Sequence, residues 1–512
     1  MSVFHEKKTL NFLGSFSLAA VIWFYFAYGG FTGYFDPTSC KIVFLHEVLF
    51  LSIVTVLFFV TRQFFLFSTR KILRIFSYFL FLAAFLLVLR EIEMSQASIP
   101  STLGYKIKWL IFSVLFLVSL IFFFWKKSQL CARIFTLFFA LLTPFGVWNV
   151  AISFKNLCFA APLTLAPVQA KVQQPKIIWL LFDEMDPFFV FSYRPASIHL
   201  PELDRLKDTT FYASQVYQLA NYTMTAIPSL TIGKKCQHVM MLGPNSLQLF
   251  FKNLSFSYWE SCNHIFSEAY RLGRNPAVFG WYHPYDFILK GVTYFSMYGR
   301  GKSCSSFWGT FKGFLYKSFY NPLVVLFPAH FHTVVGATPE NQTFGAAPEN
   351  EDVYFSFLED IKRVLSDDKY NFVFVHFPIP HAHNIKKFSS VHNNPLLDGY
   401  YNNLLLVDQT VGIIRQTLGE KWNSSLVLVT SDHWLRFQSL IKKFPERQKY
   451  LVPFMVKMPF QTQGYTYDKI LDGTIIYPFF LEVMKGKLIT DKDLISFIER
   501  ENSAHREPYK PH

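Results

Sequence analysis

Five long stretches almost free of charge fill the first 155 residues of this 512-residue chain, and no other feature constrains its fold so tightly. Thr9–Phe35 carries no charged residue. Ile42–Thr61 carries only His46 and Glu47 near its start, and Ile72–Leu89 is broken only by Arg74. Trp109–Trp125 and Ile134–Phe154 are clean. A helix needs about 20 apolar residues to cross a bilayer core, with a range of roughly 17 to 25. All five meet that length, so residues 1–155 are expected to form an α-helical transmembrane bundle of five spans. The first stretch is too long for a removed signal peptide and lacks its small-residue cleavage site.

Composition agrees. Hydrophobic residues make up 51% of the chain, 61 residues are Phe and only 16% are charged, against about 25% charged in an ordinary soluble domain. So much apolar surface excludes a disordered chain, and six Cys in 512 residues exclude a small disulfide scaffold. The net charge of +14 reads as membrane anchoring and attraction to anionic lipid, not as nucleic-acid binding.

Orientation follows from the basic residues of the short loops. One side holds nine: Lys7, Lys8, Arg62, Arg70, Lys71, Arg74, Lys126, Lys127 and Arg133. The other holds four, Lys41, Arg90, Lys106 and Lys108, with Glu91 and Glu93 beside them. The N-terminus is therefore expected in the cytoplasm and everything after Lys155 outside it. Glu47 reads as an interfacial carboxylate at the outer end of span two; the alternative is a contact with a lipid headgroup or with the soluble domain.

Residues 156–175, with three Pro and no clear periodicity, read as a linker lying along the membrane surface. From Lys176 the pattern changes. Ile177–Phe182, Asn371–Phe377 and Leu426–Val429 are continuous apolar runs, as expected of central strands in a parallel sheet buried on both faces. The third is taken as the last strand. Glu351–Asp367 and Tyr400–Leu418 carry helical patterns. The alternation predicts one α/β domain over 176–497, with a mostly parallel sheet covered by helices, followed by a loose polar tail over 498–512.

In such sheets the chemistry sits past the carboxyl ends of the strands. Those ends deliver Asp183 and Glu184, then His376 with His381 and His383, then Asp432 and His433. Two carboxylates and an imidazole make a hard-to-borderline divalent site, although each acid alone is equally a helix cap. Between them lies Asn221–Gly233, which contains Thr223 and Thr225. A Thr hydroxyl becomes a nucleophile when a metal stabilises its alkoxide, and a helix N-terminus there would hold an anionic phosphoryl or sulfuryl group.

Phe182-Asp183-Glu184, the Thr223–Gly233 segment, His376–His383 and Ser431-Asp432-His433 resemble, in that order, the motifs of the alkaline-phosphatase superfamily and its sulfatase-like branch. With five N-terminal spans, the chain looks like the membrane-bound phosphoethanolamine transferases, phosphoglycerol transferases and lipoteichoic-acid synthases of bacteria. The resemblance implies an alkaline-phosphatase/sulfatase-like fold and a single divalent ion, Zn²⁺ or Mn²⁺, held by Asp183, Thr223, Asp432 and His433. It makes Thr223 the nucleophile, five residues before Pro228, with Thr225 the alternative on sulfatase-type spacing. It implies that His381 contacts the substrate phosphate or a second metal, with His376, His383 and Glu184 around the substrate.

The chain also departs from the family. Trp434 follows the Asp-His pair where Gly is usual, and no His lies between His433 and His505. No Cys stands where a sulfatase matures its formylglycine. Among Cys236, Cys262 and Cys304 a disulfide is possible, with its pairing open.

The expected function is metal-dependent transfer of a phosphoryl-containing lipid headgroup, phosphoethanolamine or phosphoglycerol, to an envelope glycan or lipid through phospho-threonine. Its expected place is the bacterial cytoplasmic membrane, with the catalytic domain periplasmic or extracellular. The alternatives are a phosphate or sulfate ester hydrolase of the same fold, or an inactive lipid-binding envelope regulator.

Overall fold

The computed structural model describes residues 163–169, 174–243, 246–252, 255–298, 351–381, 395–436, 444 and 448–504, with scattered positions between 9 and 151. The chain parts into two compact units, Met1–Ala160 with Cys304–Gly345 and Ala161–Ser303 with Ala346–His512. In the first unit the described residues are helical and fall within the first, second and fifth apolar stretches. Ser17 and Thr143 share a hydroxyl hydrogen bond of 3.0 Å, and the Phe12 and Phe59 rings meet at 6.1 Å. The third and fourth stretches, and Glu47, lie outside the described residues. Among the described residues no helix is long and apolar enough to cross a membrane.

The second unit is an α/β domain built on a mixed, mostly parallel sheet. Its strands are β1 (Ile177–Asp183), β2 (Phe211–Tyr217), β3 (His238–Gly243), β4 (Ser246–Phe250), β5 (Phe256–Tyr258) and β6 (Pro276–Gly280). They continue with β7 (Tyr294–Met297), β8 (Phe372–Pro380), β9 (Leu426–Ser431), β10 (Leu451–Lys457), β11 (Tyr465–Tyr467) and β12 (Leu471–Asp472). Nine of them form one sheet in the order β11-β2-β10-β9-β1-β8-β6-β7, with β12 also on β2; β3, β4 and β5 form a separate antiparallel sheet. The longer helices are α1 (Pro201–Thr209), α2 (Thr223–Ile232), α3 (Ile265–Arg271), α4 (Glu351–Ser366), α5 (Pro395–Leu418), α6 (Ile476–Met484) and α7 (Asp491–Ala504).

The three apolar runs are the neighbouring strands β9, β1 and β8, paired in parallel. Successive side chains point to opposite faces of a strand, and both faces of β1 are covered. Ile178, Leu180 and Phe182 belong to the core beneath α1, α4 and α5. Trp179 faces the other way, 4.7 Å from the Phe374 ring and 5.1 Å from the Phe480 ring of α6. Two covered faces require an unbroken apolar run, which is why these strands show no polar alternation.

Three expectations about the domain's limits are corrected. β9 is central, not last: β10 follows it and pairs antiparallel with both β9 and β2. Its run contains Pro453, which is tolerated because the ladder to β2 shifts register between Val452 and Phe454. The linker does not run free over its whole length. The Leu163 and Leu165 N–H groups donate to Asp286 and Val292 carbonyls, and Val168 exchanges two hydrogen bonds with the Asn275 amide. The tail does not begin at 498. Helix α7 continues to Ala504, because Leu494, Phe497 and Ile498 are buried against the domain.

Candidate active site and metal centre

Parallel pairing brings the carboxyl ends of β1, β8 and β9 to one edge, with Leu181 level with His376 and Phe182 level with Ser431. Asp183 ends β1. The next residue, Glu184, has φ 62, a left-handed conformation that costs a non-glycine residue on the order of 1 kcal/mol or more. Its neighbours hold it there. The Glu184 N–H donates to Asp432 Oδ1 at 3.2 Å, and its carbonyl accepts from the Tyr400 hydroxyl at 2.9 Å. The turn carries the Asp183 and Glu184 side chains past the sheet edge, where they meet Asp432 and His433.

Thr223 opens α2 and brings its hydroxyl to this cluster. Oγ1 lies 2.8 Å from Asp432 Oδ2 and 3.2 Å from His433 Nε2. Its carbonyl accepts from His283 Nε2 at 3.1 Å, which fixes the helix start from behind. The Thr225 and Ala226 N–H groups donate to the Tyr222 carbonyl at 2.9 and 2.8 Å, which leaves those of Thr223 and Met224 at this terminus to suit an anion. At the other end Gly233 has φ 66, and a Cβ there would meet Tyr477 Cβ at 2.6 Å; only glycine ends the helix in this way. Pro228 removes one backbone donor within α2, and next to it the Ser229 hydroxyl donates to the Thr225 carbonyl at 2.6 Å. The Thr225 hydroxyl is turned onto its own helix, donating to the Tyr222 carbonyl at 3.0 Å.

The histidine tautomers follow from their acceptors. His433 Nδ1 donates to the Trp434 carbonyl at 3.0 Å, so its Nε2 is a lone pair. That lone pair faces Asp432 Oδ2 at 3.3 Å and Asp183 Oδ1 at 3.7 Å. Asp183 Oδ2 accepts from the Trp281 indole at 2.9 Å, while Asp183 Oδ1 is buried without a hydrogen bond. His376 Nδ1 is 2.8 Å from the Tyr285 hydroxyl, and its buried Nε2 makes no hydrogen bond. Asp183, His376 and Asp432 each offer a ligand atom, all within 4.8 Å of one another.

Electron-rich atoms thus converge, two of them, Asp183 Oδ1 and His376 Nε2, without a hydrogen bond, and the arrangement fits a divalent cation. The electrostatics agree. Burial, then Asp432 and Glu184, holds the Asp183 carboxyl well above the usual range. Burial also pushes His433 and His376 down to about 3. A bound cation would bring the Asp183 carboxyl back down, and the two histidines are already neutral, as ligands must be. The donor set, carboxylates with imidazoles, could hold a divalent metal ion.

Of the residues anticipated from the sequence, Asp183, Thr223, Asp432 and His433 are brought together. His376, expected near the substrate, lies among the carboxylates with no side-chain exposure. His381 Nε2 stands 3.8 Å from Glu184 Oε2, and burial followed by Arg436 lowers it to about 4. Glu184 Oε1 accepts from Arg436 Nε at 2.8 Å. His383 lies outside the described residues. Cys236 and Cys262 are both free thiols, and Cys304 lies outside the described residues.

Sequence reasoning overlooked Trp281, His283, Tyr285 and Arg436. The first three follow β6, whose short apolar run ends in Trp281-Tyr282-His283-Pro284-Tyr285. The strand-end rule that found Asp183 would have found them. Trp434, in place of the expected glycine, is accommodated by packing 4.8 Å from the Tyr450 ring, and its N–H donates to Gln218 Oε1 at 2.7 Å.

A family model described as Sulfatase matches residues 283–486. The segment includes His376, His381, Asp432, His433 and Arg436; Asp183 and Thr223 precede it. No curated protein sequence matches the chain. Among solved structures, the chain is similar to the phosphonate monoester hydrolase of Agrobacterium radiobacter, with 16% identity, TM-score 0.39, and 61% of this chain and 74% of that one covered. It is also similar to the lipoteichoic acid synthase LtaP from Listeria monocytogenes, with 14% identity, TM-score 0.39, and 64% and 78% covered. A third is a protein in the alkaline phosphatase superfamily from Vibrio parahaemolyticus, with 14% identity, TM-score 0.39, and 62% and 68% covered. Residues 283–486 are thus similar to the Sulfatase family, and the solved structures that the chain resembles include a protein in the alkaline phosphatase superfamily.

Proposed function

We propose that the protein is a phosphotransferase that moves a phosphoryl-containing lipid headgroup, phosphoethanolamine or phosphoglycerol, onto an envelope glycan or lipid. The observation that carries this reading is the Thr223 hydroxyl, held between Asp432 Oδ2 and His433 Nε2 at the start of α2. Asp183, Asp432, His433 and His376, with Thr223 beside them, would hold one Zn²⁺ or Mn²⁺, which when bound supplies positive charge that favours the ionised hydroxyl.

The chain's own residues do the rest. His283 fixes the Thr223 backbone, so the hydroxyl cannot swing away. The Thr223 proton passes to Asp432 Oδ2, which already accepts its hydrogen bond. A bond forms between Thr223 Oγ1 and phosphorus while the bond from phosphorus to the diacylglycerol oxygen breaks, and that oxygen takes up a proton. The Thr223 and Met224 N–H groups, the first two of α2, hold the non-bridging oxygens. An acceptor hydroxyl then attacks phosphorus from the vacated side and loses its proton to His381, while the bond from phosphorus to Thr223 Oγ1 breaks and Oγ1 takes back the proton held by Asp432.

The five apolar stretches of residues 1–155 and the loop charges support a place in the bacterial cytoplasmic membrane, with residues 176 onward outside the cytoplasm. A donor lipid would then never leave the bilayer. A hydrolase is the second reading, favoured by the match to the Sulfatase family model; in it water takes the place of the acceptor. The two are separated by supplying purified protein with labelled phospholipid and following the label. Transfer to an alcohol or glycan, with diacylglycerol released in equal amount, is the expected result. Release of free phosphoethanolamine or phosphoglycerol alone would establish the hydrolase.

A further inference from the structure

The phosphotransferase reading leaves one charged side chain at the site without a task. Arg436 lies three residues past His433, with its side chain 29% exposed, against 2% for its partner Glu184. Burial opposes its charge, but Glu184, Asp183 and Asp432 outweigh burial and hold it above its usual value. Its guanidinium sits 5.0 Å over the ring of Tyr222, the residue immediately before Thr223.

The pairing with Glu184 is lopsided. Nε and one terminal nitrogen both reach the same oxygen, Glu184 Oε1, each at 2.8 Å. The other oxygen, Oε2, is buried and makes no hydrogen bond. An arginine serving only to neutralise a carboxylate takes both oxygens in a parallel fork. Here the guanidinium is offset, aromatic on one side and carboxylate on another, and its five N–H donors are not used up. The Tyr222 ring, 63% exposed, opens this side of the site to solvent.

We infer that Arg436 is a catalytic residue that binds the non-bridging oxygens of the anionic group attacked by Thr223, with Glu184 and Tyr222 setting its position. This rests on the reading of Thr223 as the nucleophile's place. The chemistry follows from the surroundings. Asp183, Glu184 and Asp432 crowd the site with negative charge, which repels an anionic phosphoryl group. A fixed guanidinium at the α2 terminus offsets that repulsion and offers planar, two-point contact to two oxygens. It is also partly exposed, beside the exposed Tyr222 ring, whereas Asp183, His376 and Asp432 are buried.

The test uses the full-length protein in detergent, loaded with Zn²⁺ or Mn²⁺, with inorganic phosphate as the probe. Metal content is read by elemental analysis and phosphate affinity by calorimetry. Arg436→Gln should keep one metal per chain and lose phosphate affinity by more than 10-fold, with Arg436→Lys intermediate. Removing both partners, Glu184→Gln with Arg436→Gln, leaves no unpaired buried charge and serves also where the single variant is unstable. Its phosphate affinity should stay low. If the double variant binds phosphate like the parent, Arg436 only neutralises Glu184 and the inference is overturned; unchanged affinity in Arg436→Gln overturns it equally. Failure of the phosphotransferase reading looks different: no lipid product forms, while phosphate binding and its dependence on Arg436 persist.

Discussion

The two edges of the central sheet both bury charge, and they treat it in opposite ways. At the amino edge, Lys176 Nζ donates to the Leu365 and Asp367 carbonyls, and Lys457 Nζ donates to those of Asn423, Ser425 and Met458. Arg274 donates to the Pro175 and Asn371 carbonyls, and the Asn275 N–H donates to Asn371 Oδ1. Apart from Arg274 Nε and the Gln174 amide oxygen, the polar groups there are matched, the cations to backbone carbonyls and the Asn275 N–H to the Asn371 side chain. At the carboxyl edge, Asp183 Oδ1, Glu184 Oε2 and His376 Nε2 are buried without hydrogen bonds, and a strained Glu184 backbone holds the acids together. Burying polar atoms unsatisfied costs about 1–3 kcal/mol each, so that edge gives up stability to keep a shaped, charged site. One edge is structural, the other is poised for a ligand.

The largest expected effect lies at the poised edge. Asp183→Asn should lose the metal and lower turnover by more than about 100-fold, since even supporting groups of a metal site are worth 10–100-fold. The same change removes one of several crowded buried carboxylates. In excess chelator the variant should therefore melt a few degrees above the parent. Loss of metal together with a lower melting temperature would break the contrast between the edges.

At the amino edge the effects should be reversed. Asn371→Ala strands the Asn275 N–H and should destabilise the domain by about 1–3 kcal/mol, while the surviving folded fraction keeps its turnover per bound metal. A drop in turnover at full metal occupancy would show that the two edges are coupled.

The smallest effect sharpens the comparison at a third buried acid. Asp408 Oδ1 accepts the N–H groups of Glu202 and Leu203 at 2.9 and 2.8 Å, capping α1, yet burial pushes its carboxyl up to about 6. A carboxyl raised on folding favours the native state below its unfolded value, 3.8, and that advantage is lost as pH rises through about 6. Asp408→Asn keeps the acceptor oxygen and drops the charge. Its melting temperature relative to the parent should rise between pH 4 and 6 and stay level above. A difference that is flat across this range would mean that Asp408 is neutral or unperturbed.

Much of this was legible in the sequence because it depends on runs of neighbours. Ile177–Phe182, Asn371–Phe377 and Leu426–Val429 announce buried strands, and Asp183, His376 and Asp432 stand at or just past their ends, which chain direction places at one edge. Glu351–Ser366 and Pro395–Leu418 follow their helical patterns closely. What could not be read depends on contacts across the chain or on exceptions to local rules. Arg436 meets Glu184 across 252 residues, and no spacing encodes that. The Tyr285 hydroxyl meets His376 Nδ1 at 2.8 Å across 91 residues, and no spacing encodes that either. β10 was missed because Pro453 interrupts an otherwise apolar run, and a register shift that excuses it is invisible without its partner. The Thr223 and Thr225 alternatives differ only in which way a hydroxyl points at the start of a helix.

The account's central claim is that Thr223 attacks phosphorus at the poised edge. Its most direct measurement is peptide mass spectrometry of metal-loaded protein quenched with a phospholipid donor present and the acceptor withheld. An adduct of phosphoethanolamine or phosphoglycerol mass on Thr223, absent in Thr223→Ala together with all turnover, is the predicted result. Full turnover in Thr223→Ala, or an adduct on Thr225 with Thr223 unmodified, would contradict it.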